Sequence, residues 1–271
     1  MTITVVRAAG LVTVQDLGRR GHMHEGVPPG GALVPALAAR ANRAVGNPDG
    51  APLVEVMGTI TIASSGALTI ATDDGARASL APGATFTAAS REARVRYLAV
   101  AGGLDVPELL GGRGALLSGG LGAVLRSGDT LRACAHIAAA SSGVTAIAAT
   151  LGEGPIAVHV GPDLDAFDEA ALERLFAIEW RISAESDRVG VRLEGGAIAR
   201  VPGYTERTRP MVRGAIEVPA SGVPIVLGPE HPTTGGYPLI GVVKSADLDR
   251  FFATPLGARV RFVRAMQADP I

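Results

Sequence analysis

The sequence predicts a mainly β protein with a few short helices, organised as two domains. Three observations lead to this prediction. Glycine and proline together make up about a fifth of the 271 residues, against a usual share of about 12%. Between these turn-forming residues lie short apolar or alternating segments that are rich in β-branched side chains. A glycine turn followed by an alternating strand also occurs three times, at residues 80–86, 125–131 and 254–260.

The repeated turn-and-strand segments indicate where the chain divides. The second closes the first half of the chain and the third closes the second half, which predicts two β domains of similar construction, residues 1–150 and 151–271. Residues 135–151 are low in charge and rich in Ala, Ser and Gly, so they could form a linker, yet they are apolar enough for a strand. Hydrophobic residues make up 47% of the chain, enough for a sizeable core.

In the first half, the sequence predicts a strand, a long loop, a helix and then further strands. Alternation predicts a strand over residues 2–8, and the proline- and glycine-rich residues 22–32 predict an ordered loop. Apolar spacing from Leu33 predicts a helix that ends at residues 46–48. The remaining elements are predicted, in order, as strands at 53–57, 59–63, 67–71, 84–88 and 95–101, and a turn into a short helix at 102–111.

In the second half, strands again dominate. An amphipathic helix is predicted at residues 168–176, and Ser245 is expected to cap a last helix. Residues 186–195 are polar and turn-rich, with alternation at their end. The strands are predicted, in order, at 156–160, 179–182, 214–219, 223–227 and 239–243.

Residues 231–238, His-Pro-Thr-Thr-Gly-Gly-Tyr-Pro, form the stretch around which the rest of the chain is organised. They place two hydroxyls, two glycines and a tyrosine between two apolar strands. Gly235 and Gly236 are expected to allow positive φ angles and a close approach of the backbone to a ligand. A tight hairpin turn explains the same residues, because Gly-Gly is typical of hairpins. Both interpretations stay open from this stretch alone.

Composition excludes several classes of protein. The formal net charge is −1 and there is no basic run, so nucleic acid is not an expected partner. With the single cysteine, Cys134, no intrachain disulfide is possible. The N-terminus lacks the basic start and the apolar core of a signal peptide, and no segment has the length and apolarity of a membrane span. We therefore expect a soluble cytoplasmic protein without a membrane partner.

Other kinds of site find little support in the sequence. His22, His24 and Glu25 could form part of a metal site. The sequence has no further strong cluster of ligands to complete it, so no metal is expected. A Ser-His-Asp triad remains an alternative, although no nucleophile-elbow motif supports it. The glycine-rich residues 102–103 and 119–122 have neither the Walker spacing nor the dinucleotide fingerprint. Polar candidates near Gly/Pro loops remain, namely Asp16, His24, Glu55, Glu217 and Tyr237.

Five ordered motifs, spread over nearly the whole chain, resemble one protein family. They are residues 10–19 (GLVTVQDLGR), 24–29 (HEGVPP), 97–107 (YLAVAGGLDVP), 186–190 (SDRVG) and 233–238 (TTGGYP). The chain is similar to biotin-dependent carboxyltransferase-like proteins, often labelled allophanate hydrolase subunit 2. This family includes the subunit designated C of the bacterial ATP-dependent 5-oxoprolinase and part of the carboxyltransferase domain of urea carboxylase.

The resemblance implies a fold, partners and a reaction. The fold would be two cyclophilin-like β-barrel domains. The partners would be the homologous B component of the 5-oxoprolinase, which is allophanate hydrolase subunit 1-like, and possibly its A component. The complex would open 5-oxoproline to glutamate, with ATP used in the complex and no cofactor bound by this chain alone. A carboxyltransferase component would use biotin carried on another chain, because the Met-Lys pair of a biotin carrier is absent here.

Residue chemistry within the matching motifs suggests roles for a candidate site. Tyr237 and Thr234 would donate hydrogen bonds to a carbonyl or carboxylate, and Arg113 would hold an anion. Asp16 or His24 would move a proton. The catalytic candidates are therefore Asp16, His24 and Tyr237, and the substrate-binding candidates are Arg113, Thr233, Thr234, Gly235 and Gly236.

The sequence also departs from the family pattern in four loops. Gly30 and Val34 stand where the family has Ser and Asp, and residues 111–115 read Gly-Gly-Arg-Gly-Ala instead of Gly-Ser-Arg-Ser-Thr. Thr208-Arg209 replaces a Ser-Glu, and His231-Pro232 replaces an Arg-Gln. Lost hydrogen-bonding groups weaken substrate specificity, so a non-catalytic module that binds and regulates the homologous B component is the alternative function.

Overall fold

The computed structural model describes residues 1–134 and 151–266. They form two compact units. One contains Met1–His22 and the described residues from Pro29 to Cys134, and the other contains Met23–Pro28 and the described residues from Leu151 onward. Most of the predicted linker or strand at 135–151 lies outside the described residues.

The first unit is a seven-stranded antiparallel sheet with one helix, α1 (Pro35–Ala44). The strand order is β4-β3-β6-β2-β1-β7, and β5 pairs with β2. A 3₁₀ turn covers Leu117–Gly119. The strands are β1 (Thr2–Gln15), β2 (Leu53–Ser64), β3 (Leu68–Thr72), β4 (Arg77–Leu80), β5 (Thr85–Ala89), β6 (Arg96–Val100) and β7 (Thr130–Arg132).

The two longest strands, β1 and β2, continue through positions where the sequence predicted breaks. Gly10 of β1 lies opposite Gly58 of β2, and both have positive φ angles. A Cβ at Gly10 would lie 2.3 Å from the Met57 carbonyl oxygen, and one at Gly58 would lie 2.1 Å from the Ala9 carbonyl oxygen. The glycine pair therefore lets the two strands pass each other closely and stay paired.

Helix α1 begins two residues later than the apolar spacing predicted. The reason is that Pro35, the first helical residue, disfavours the helical conformation at the residue before it, and Val34 is extended with φ −133° and ψ 85°. Its predicted end is confirmed. Gly46 has a positive φ angle, and the Asn47 side chain donates to the Val100 carbonyl at 2.8 Å, which fixes the chain after the helix.

The short helix predicted within residues 102–111 is wrong. Leu104 forms a bridge to Ala133, and the Asp105 N–H donates to the Arg132 carbonyl at 2.8 Å. The backbone of this segment is therefore paired with another part of the sheet and cannot form local helical hydrogen bonds. The strand β4 was not predicted from the sequence.

The second unit contains a closed barrel of seven strands in the order β10-β13-β12-β15-β8-β16-β9. Its strands pair antiparallel except for β8 and β16, which are parallel. Two further strands, β11 and β14, pair only with each other. The strands are β8 (Ile156–Val160), β9 (Glu179–Ile182), β10 (Gly190–Glu194), β11 (Arg209–Pro210), β12 (Ala215–Glu217), β13 (Ile225–Leu227), β14 (Thr234–Gly235), β15 (Leu239–Val243) and β16 (Arg259–Arg264).

Two short helices, α2 (Ala171–Ala177) and α3 (Leu248–Ala253), complete the second unit. The Trp180 indole is buried and donates to the Leu175 carbonyl of α2 at 3.0 Å. Phe251 and Phe252 of α3 are fully buried, and their rings meet edge to face with centroids 5.2 Å apart. Both helices thus contribute aromatic or aliphatic groups to the core.

Ser245 does not cap α3 as predicted. Residues Ser245–Asp247 form a 3₁₀ turn, and the helix begins after Asp247 without a side-chain cap. The Asp247 carboxylate accepts instead from the Ala157 N–H and from Arg250. This carboxylate therefore ties the start of the helix to β8.

The prediction of a mainly β chain with few short helices is confirmed, and one unit is a closed β-barrel. The apolar side chains of the first sheet form a continuous core, which includes Ile3, Val12, Val56, Ile70 and Leu98. In residues 1–134 and 151–266, no helix is both long and apolar enough to cross a membrane.

Candidate functional site

The segment between β13 and β15 contains the motif at residues 231–238, and it is not a hairpin turn. Strand β12 pairs with β13 on one side and with β15 on the other, so the two strands that flank the motif do not pair with each other. The segment instead crosses over β12. The hairpin interpretation is therefore wrong, and the motif projects from the barrel as a connecting loop.

Within this loop, β14 pairs with β11 to form a two-stranded ribbon, which we call the β11–β14 ribbon. Arg209 lies opposite Gly235 and Pro210 lies opposite Thr234. The Met211 N–H donates to the Thr233 carbonyl at 3.0 Å and extends the pairing by one step. The Met211 side chain is buried, and it packs in a small cluster with Ala215, Leu227 and Leu239 of the barrel strands. The ribbon is therefore attached to the barrel through apolar contacts.

The two glycines of the motif serve packing rather than an unusual backbone conformation. Neither Gly235 nor Gly236 has a positive φ angle, so that expectation is wrong. A Cβ at Gly235 would lie 2.3 Å from the Met211 Cε atom, whereas one at Gly236 would make only ordinary contacts with Glu206. A larger residue at position 235 would therefore have to displace the end of the buried Met211 side chain, on which the ribbon lies directly.

Asp163 joins both ends of the motif segment. Its carboxylate is buried, and Oδ1 accepts from the Arg209 guanidinium at 2.5 Å and from the Tyr204 hydroxyl at 3.4 Å. Its Oδ2 accepts from the Leu239 N–H at 2.9 Å. One carboxylate therefore holds both the ribbon and the first residue of β15. Asp163, Arg209, Tyr204 and Leu239 therefore fix the position of the candidate site. The sequence did not predict that these residues contact one another.

Two arginine–carboxylate pairs, Arg200 with Glu206 and Arg209 with Asp163, lie beside the ribbon. Arg200 pairs with Glu206 at 2.9 Å, and Glu206 is the side chain nearest to Gly236. The Arg200 Nη1 and Arg209 Nε atoms are buried and have no hydrogen-bond partner among the described residues. The two arginines thus fix the ribbon region, and their unpaired donor atoms are closed to solvent.

The hydroxyl groups of the motif are free. Thr233, Thr234 and Tyr237 make no side-chain hydrogen bond with the residues that the structure describes. Thr234 is exposed, and Tyr237 has 42% of its surface accessible. Three donors with no internal partner, presented on one loop, can therefore bind a carbonyl or carboxylate group without first breaking an existing bond.

A buried ion pair supports the approach to the motif. The Arg188 Nε atom donates to Glu230 Oε1 at 2.6 Å, and these side chains are 3% and 4% exposed. The Glu230 N–H also donates to the Arg188 carbonyl at 3.0 Å. The next residue, His231, is 1% exposed, and its Nδ1 atom lies 2.7 Å from the Pro232 carbonyl oxygen. The loop thus leaves the barrel through a fixed and buried base.

Burial lowers the pKa of His231 from its ordinary value of 6.5, with an opposing contribution from the Pro232 carbonyl and a further lowering by Arg213. The imidazole is therefore neutral in the folded protein at neutral pH. On acidification the unfolded chain binds a proton near pH 6.5, whereas the folded chain binds it only at lower pH.

We expect the free energy of unfolding to fall as the pH decreases from 6.5 toward the lower pKa of folded His231. In His231→Gln this part of the pH dependence should disappear, while the exposed control His159→Gln should retain it. Denaturant unfolding at several pH values between about 5 and 8 measures the effect. An unchanged pH dependence in His231→Gln contradicts the assignment. Burial also raises the pKa values of Asp73 and Glu217. The contribution of each of these carboxyl groups to the free energy of unfolding therefore rises as the pH falls, which is opposite to the contribution of His231.

Asp16 and Arg113, two predicted site residues, lie together in the first unit. The Asp16 carboxylate accepts from the Gly18 N–H at 2.8 Å and from the Arg113 N–H at 2.6 Å. The Arg113 guanidinium lies at the surface, where it donates to Glu108 and to the Val106 carbonyl. Both side chains thus fix loops of this unit by hydrogen bonds that a ligand would have to replace.

The loop at residues 109–114 encloses a buried arginine. The Arg19 guanidinium donates to the carbonyls of Leu109 and Gly114 at 3.1 and 2.7 Å. A Cβ at Gly112 would lie 2.7 Å from Arg19 Cγ, and one at Gly114 would lie 2.8 Å from Gln15 Oε1. The two glycines that replace family serines therefore allow this loop to close tightly on Arg19 and Gln15.

Glu55, another polar candidate, is fully buried in the first unit. Its Oε2 atom accepts from the Leu33 N–H and from the Tyr97 hydroxyl, each at 2.7 Å. The Tyr97 hydroxyl in turn accepts from the Val34 N–H at 2.8 Å. This network fixes the end of the long loop before α1, which is a structural role.

His24 belongs to a segment, Met23–Pro28, that groups with the second unit. It lies in the 3₁₀ turn Met23–Glu25, largely exposed, with Nε2 3.6 Å from Glu25 Oε1. Among the described residues, no three His, Cys, Asp or Glu side chains form a group that could hold a metal ion. The structure thus places His24 and residues 233–237 in one unit and Asp16 and Arg113 in the other.

Sequence reasoning found the motif but missed its supports. Asp163 follows strand β8 in a Gly-Pro-Asp sequence, which is a turn signal without further information. Arg188 lies in one of the family motifs, and Arg209 was noted only as a departure from the family pattern. No local signal connects these residues with the motif, because their contacts join distant parts of the chain.

Comparison with known proteins gives consistent results. A family model described as carboxyltransferase domain, subdomain A and B, matches residues 25–264. The 5-oxoprolinase subunit designated C, from Escherichia coli (strain K12), is 33% identical over 283 residues, which cover 97% of this chain and 91% of that protein. The urea amidolyase of Saccharomyces cerevisiae is 28% identical, and the match covers 93% of this chain but 16% of that protein.

Among solved structures, a crystal structure of the protein TTHA0988 superimposes with a TM-score of 0.81 and 28% sequence identity. The match covers 97% of this chain and 56% of TTHA0988. The chain therefore spans about half the length of this structural relative, but nearly the full length of the bacterial 5-oxoprolinase component.

Proposed function

The chain belongs to the carboxyltransferase domain family, subdomain A and B, and from this premise we propose that it is the counterpart of the 5-oxoprolinase C component in a multi-chain enzyme. The enzyme would open a small cyclic amide, 5-oxoproline, to glutamate. The observation that supports this proposal most strongly is the match to a component named for this reaction, which covers 97% of this chain and 91% of that protein.

The geometry of the β11–β14 ribbon supports a small amide as the ligand. 5-Oxoproline carries an amide carbonyl and a carboxylate, both of which accept hydrogen bonds. The free hydroxyls of Thr234 and Tyr237 would bind and orient one of these groups. The backbone of Arg209 lies opposite Gly235, and its guanidinium is paired with Asp163, so this arginine holds the ribbon in place for the ligand. Pre-positioned donors of this kind stabilise charge that develops on a carbonyl oxygen during the reaction.

We propose that ATP, if the complex uses it, is held by another chain. Phosphate groups bind at helix N-termini through free backbone N–H groups. The longest described helix, α1, starts with Pro35, which has no N–H. The N–H groups of Leu33 and Val34 before it already donate to Glu55 and Tyr97. The start of this helix therefore does not fit a nucleotide phosphate.

The proposed partners are homologues of the B and A components of the 5-oxoprolinase. The bacterial relative is itself named as one component among several, which supports a complex of more than one chain. The match to only part of the urea amidolyase and of TTHA0988 is consistent with this, because in those proteins further residues belong to the same chain. The whole reaction would therefore depend on chains other than this one.

Carboxyl transfer to a urea-like nitrogen is a second candidate function. It is favoured by the description of the family and by the similarity to urea amidolyase, which covers 93% of this chain. In this case biotin would be carried by another chain, and the ribbon would bind the urea-like acceptor. The hydroxyl donors of the motif suit a urea carbonyl as well as a lactam carbonyl.

We expect glutamate to be released from 5-oxoproline only when this chain, the B component and the A component are mixed with ATP. Thr234→Val and Tyr237→Phe should each lower kcat/KM by about 10–100-fold, because each removes one donor to the substrate. Thr61→Val is the control, since the Thr61 hydroxyl bonds to the Thr87 hydroxyl on the first sheet, in the unit that does not contain the motif.

Different outcomes separate the candidate functions. Carboxylation of urea in the presence of a biotinylated carrier chain, without glutamate release, would favour the second function. Binding to the B component without turnover of either substrate would contradict both enzymatic functions and favour a regulatory module. Equal activity of Tyr237→Phe and wild type would show that the ribbon does not bind the substrate.

A further inference from the structure

Glu217 occupies a defined place beside the motif. It is the last residue of β12, where it lies opposite Ile225 of β13 on one side and opposite Leu239 of β15 on the other. Leu239 directly follows the motif, and the Val218 N–H donates to the Pro238 carbonyl at 3.0 Å. The register against β15 shifts between Ile216 and Glu217. On β12 itself, Ala215 belongs to the cluster with Leu239, and residues two apart in a strand point to the same face. Glu217 therefore shares a face of the barrel with Leu239.

The ribbon covers this face of the barrel at Leu239 but not at Arg192. Leu239 is buried in the small cluster with Met211, whereas Arg192, opposite Ile225 on β10, is exposed. Across the strands the residues follow in the order Leu239, Glu217, Ile225 and Arg192, so Glu217 lies between Leu239 and Arg192, and it is half-buried. Its carboxylate is thus located at the border between the apolar cluster under the ribbon and the solvent.

The Glu217 carboxylate makes no hydrogen bond and no ion pair with the described residues, unlike the buried carboxylates of Asp163 and Glu230. Burial raises its pKa, and the charge of Arg192 acts in the opposite direction. The other facing residues, Ile225 and Leu239, are apolar. A half-buried carboxylate without a partner has a cost in stability and no evident structural use.

We infer that Glu217 is the acid–base group of the ribbon site and exchanges a proton with the amide nitrogen of a cyclic amide or urea-like substrate. This inference rests on the proposed function. In the base direction, the N–H bond breaks, the proton moves to a Glu217 carboxylate oxygen, and the electron pair stays on the N–C–O group of the substrate. The hydroxyls of Thr234 and Tyr237 would stabilise the negative charge on its oxygen. In the acid direction, the same carboxyl returns the proton to nitrogen.

The test compares Glu217→Gln and Glu217→Asp with wild type in the reconstituted complex. Gln has the same shape but cannot accept the proton, whereas Asp keeps the carboxylate. We expect Glu217→Gln to lower kcat/KM at least about 100-fold, with KM changed less than about threefold and the acid limb of the pH–rate profile lost. Glu217→Asp should keep the acid limb and part of the activity. Glu194→Gln on β10, whose carboxylate pairs with Arg181 at the surface, is the matched control.

Each result has a definite meaning. An active wild-type complex with a Glu217→Gln variant that keeps its rate and its acid limb overturns the role of Glu217 and leaves the proposed function in place. A loss of activity that Glu217→Asp shares fully, together with a lower melting temperature in both variants, shows a structural role and also overturns it. A wild-type complex that acts on neither 5-oxoproline nor urea overturns both the function and this inference.

Discussion

Arg188→Met is expected to destabilise the second unit by about 3–5 kcal/mol, because it leaves the Glu230 carboxylate buried without its cation. Both side chains are almost completely inaccessible, and the Nε–Oε1 distance is 2.6 Å. Chemical denaturation of wild type and variant measures the change in the free energy of unfolding. Arg181→Met is the matched control. Its guanidinium pairs with Glu194 at the surface, and such pairs contribute about 0–1 kcal/mol.

The double variant Arg188→Met/Glu230→Leu separates the loss of the cation from the loss of packing. Replacing both partners by apolar side chains removes the uncompensated charge, so most of the lost stability should return. If Arg188→Met is no more destabilising than Arg181→Met, the buried pair does not support the approach to the motif. Equal destabilisation of the single and double variants would instead show that packing of the Arg188 stem dominates.

Asp163→Asn is expected to cost about 3 kcal/mol and to lower the activity of the reconstituted complex strongly. The amide can accept at only one oxygen, so either the Arg209 guanidinium or the Leu239 N–H loses its buried acceptor. The loss should loosen the β11–β14 ribbon in particular. Hydrogen exchange at Leu239 and Met211, measured beside global unfolding, reports on this local change.

Asp165→Asn is the control for Asp163→Asn. Asp165 lies in the same 3₁₀ turn region, and its side chain is exposed, so its replacement should change stability by less than about 0.5 kcal/mol. Faster exchange at Leu239 in Asp163→Asn but not in Asp165→Asn supports the anchoring role. Unchanged exchange and activity in Asp163→Asn would show that the Asp163 carboxylate does not anchor the ribbon.

The sequence predicted much of the secondary structure because local patterns determine it. The alternation in β8 and β9, the helix stop at Gly46 and the strand that follows the motif were all evident from apolar spacing and turn residues. The resemblance through five motifs implied the β-barrel domains, in agreement with the mainly β class predicted from composition and turn residues. The strands and the helix stop depend on neighbours in the chain, which a pattern over a few residues records, whereas the barrel was implied only by the resemblance.

Local patterns failed where distant strands compete for the same backbone groups. The predicted break at Gly58 disappears because Gly10 lies opposite it, and the predicted helix after Gly103 disappears because Asp105 pairs with Arg132. Asp16 illustrates the same limit for function. As a residue type it suggested proton transfer, but its carboxylate accepts the N–H of Arg113, 97 residues away.

For the candidate site, the sequence alone identified residues 233–238 as a motif with two threonines, two glycines and a tyrosine, and it indicated the family by resemblance. Tertiary structure decided how that motif is held. Asp163 lies 46 residues before Arg209 and 76 residues before Leu239, yet it binds both. Tertiary structure also placed Glu217 beside the motif, because strand pairing across the barrel sets which side chains share a face. There its carboxylate has no hydrogen-bond or ion-pair partner among the described residues. Pairing of this kind depends on closure of the whole barrel, and no segment of the chain specifies it alone.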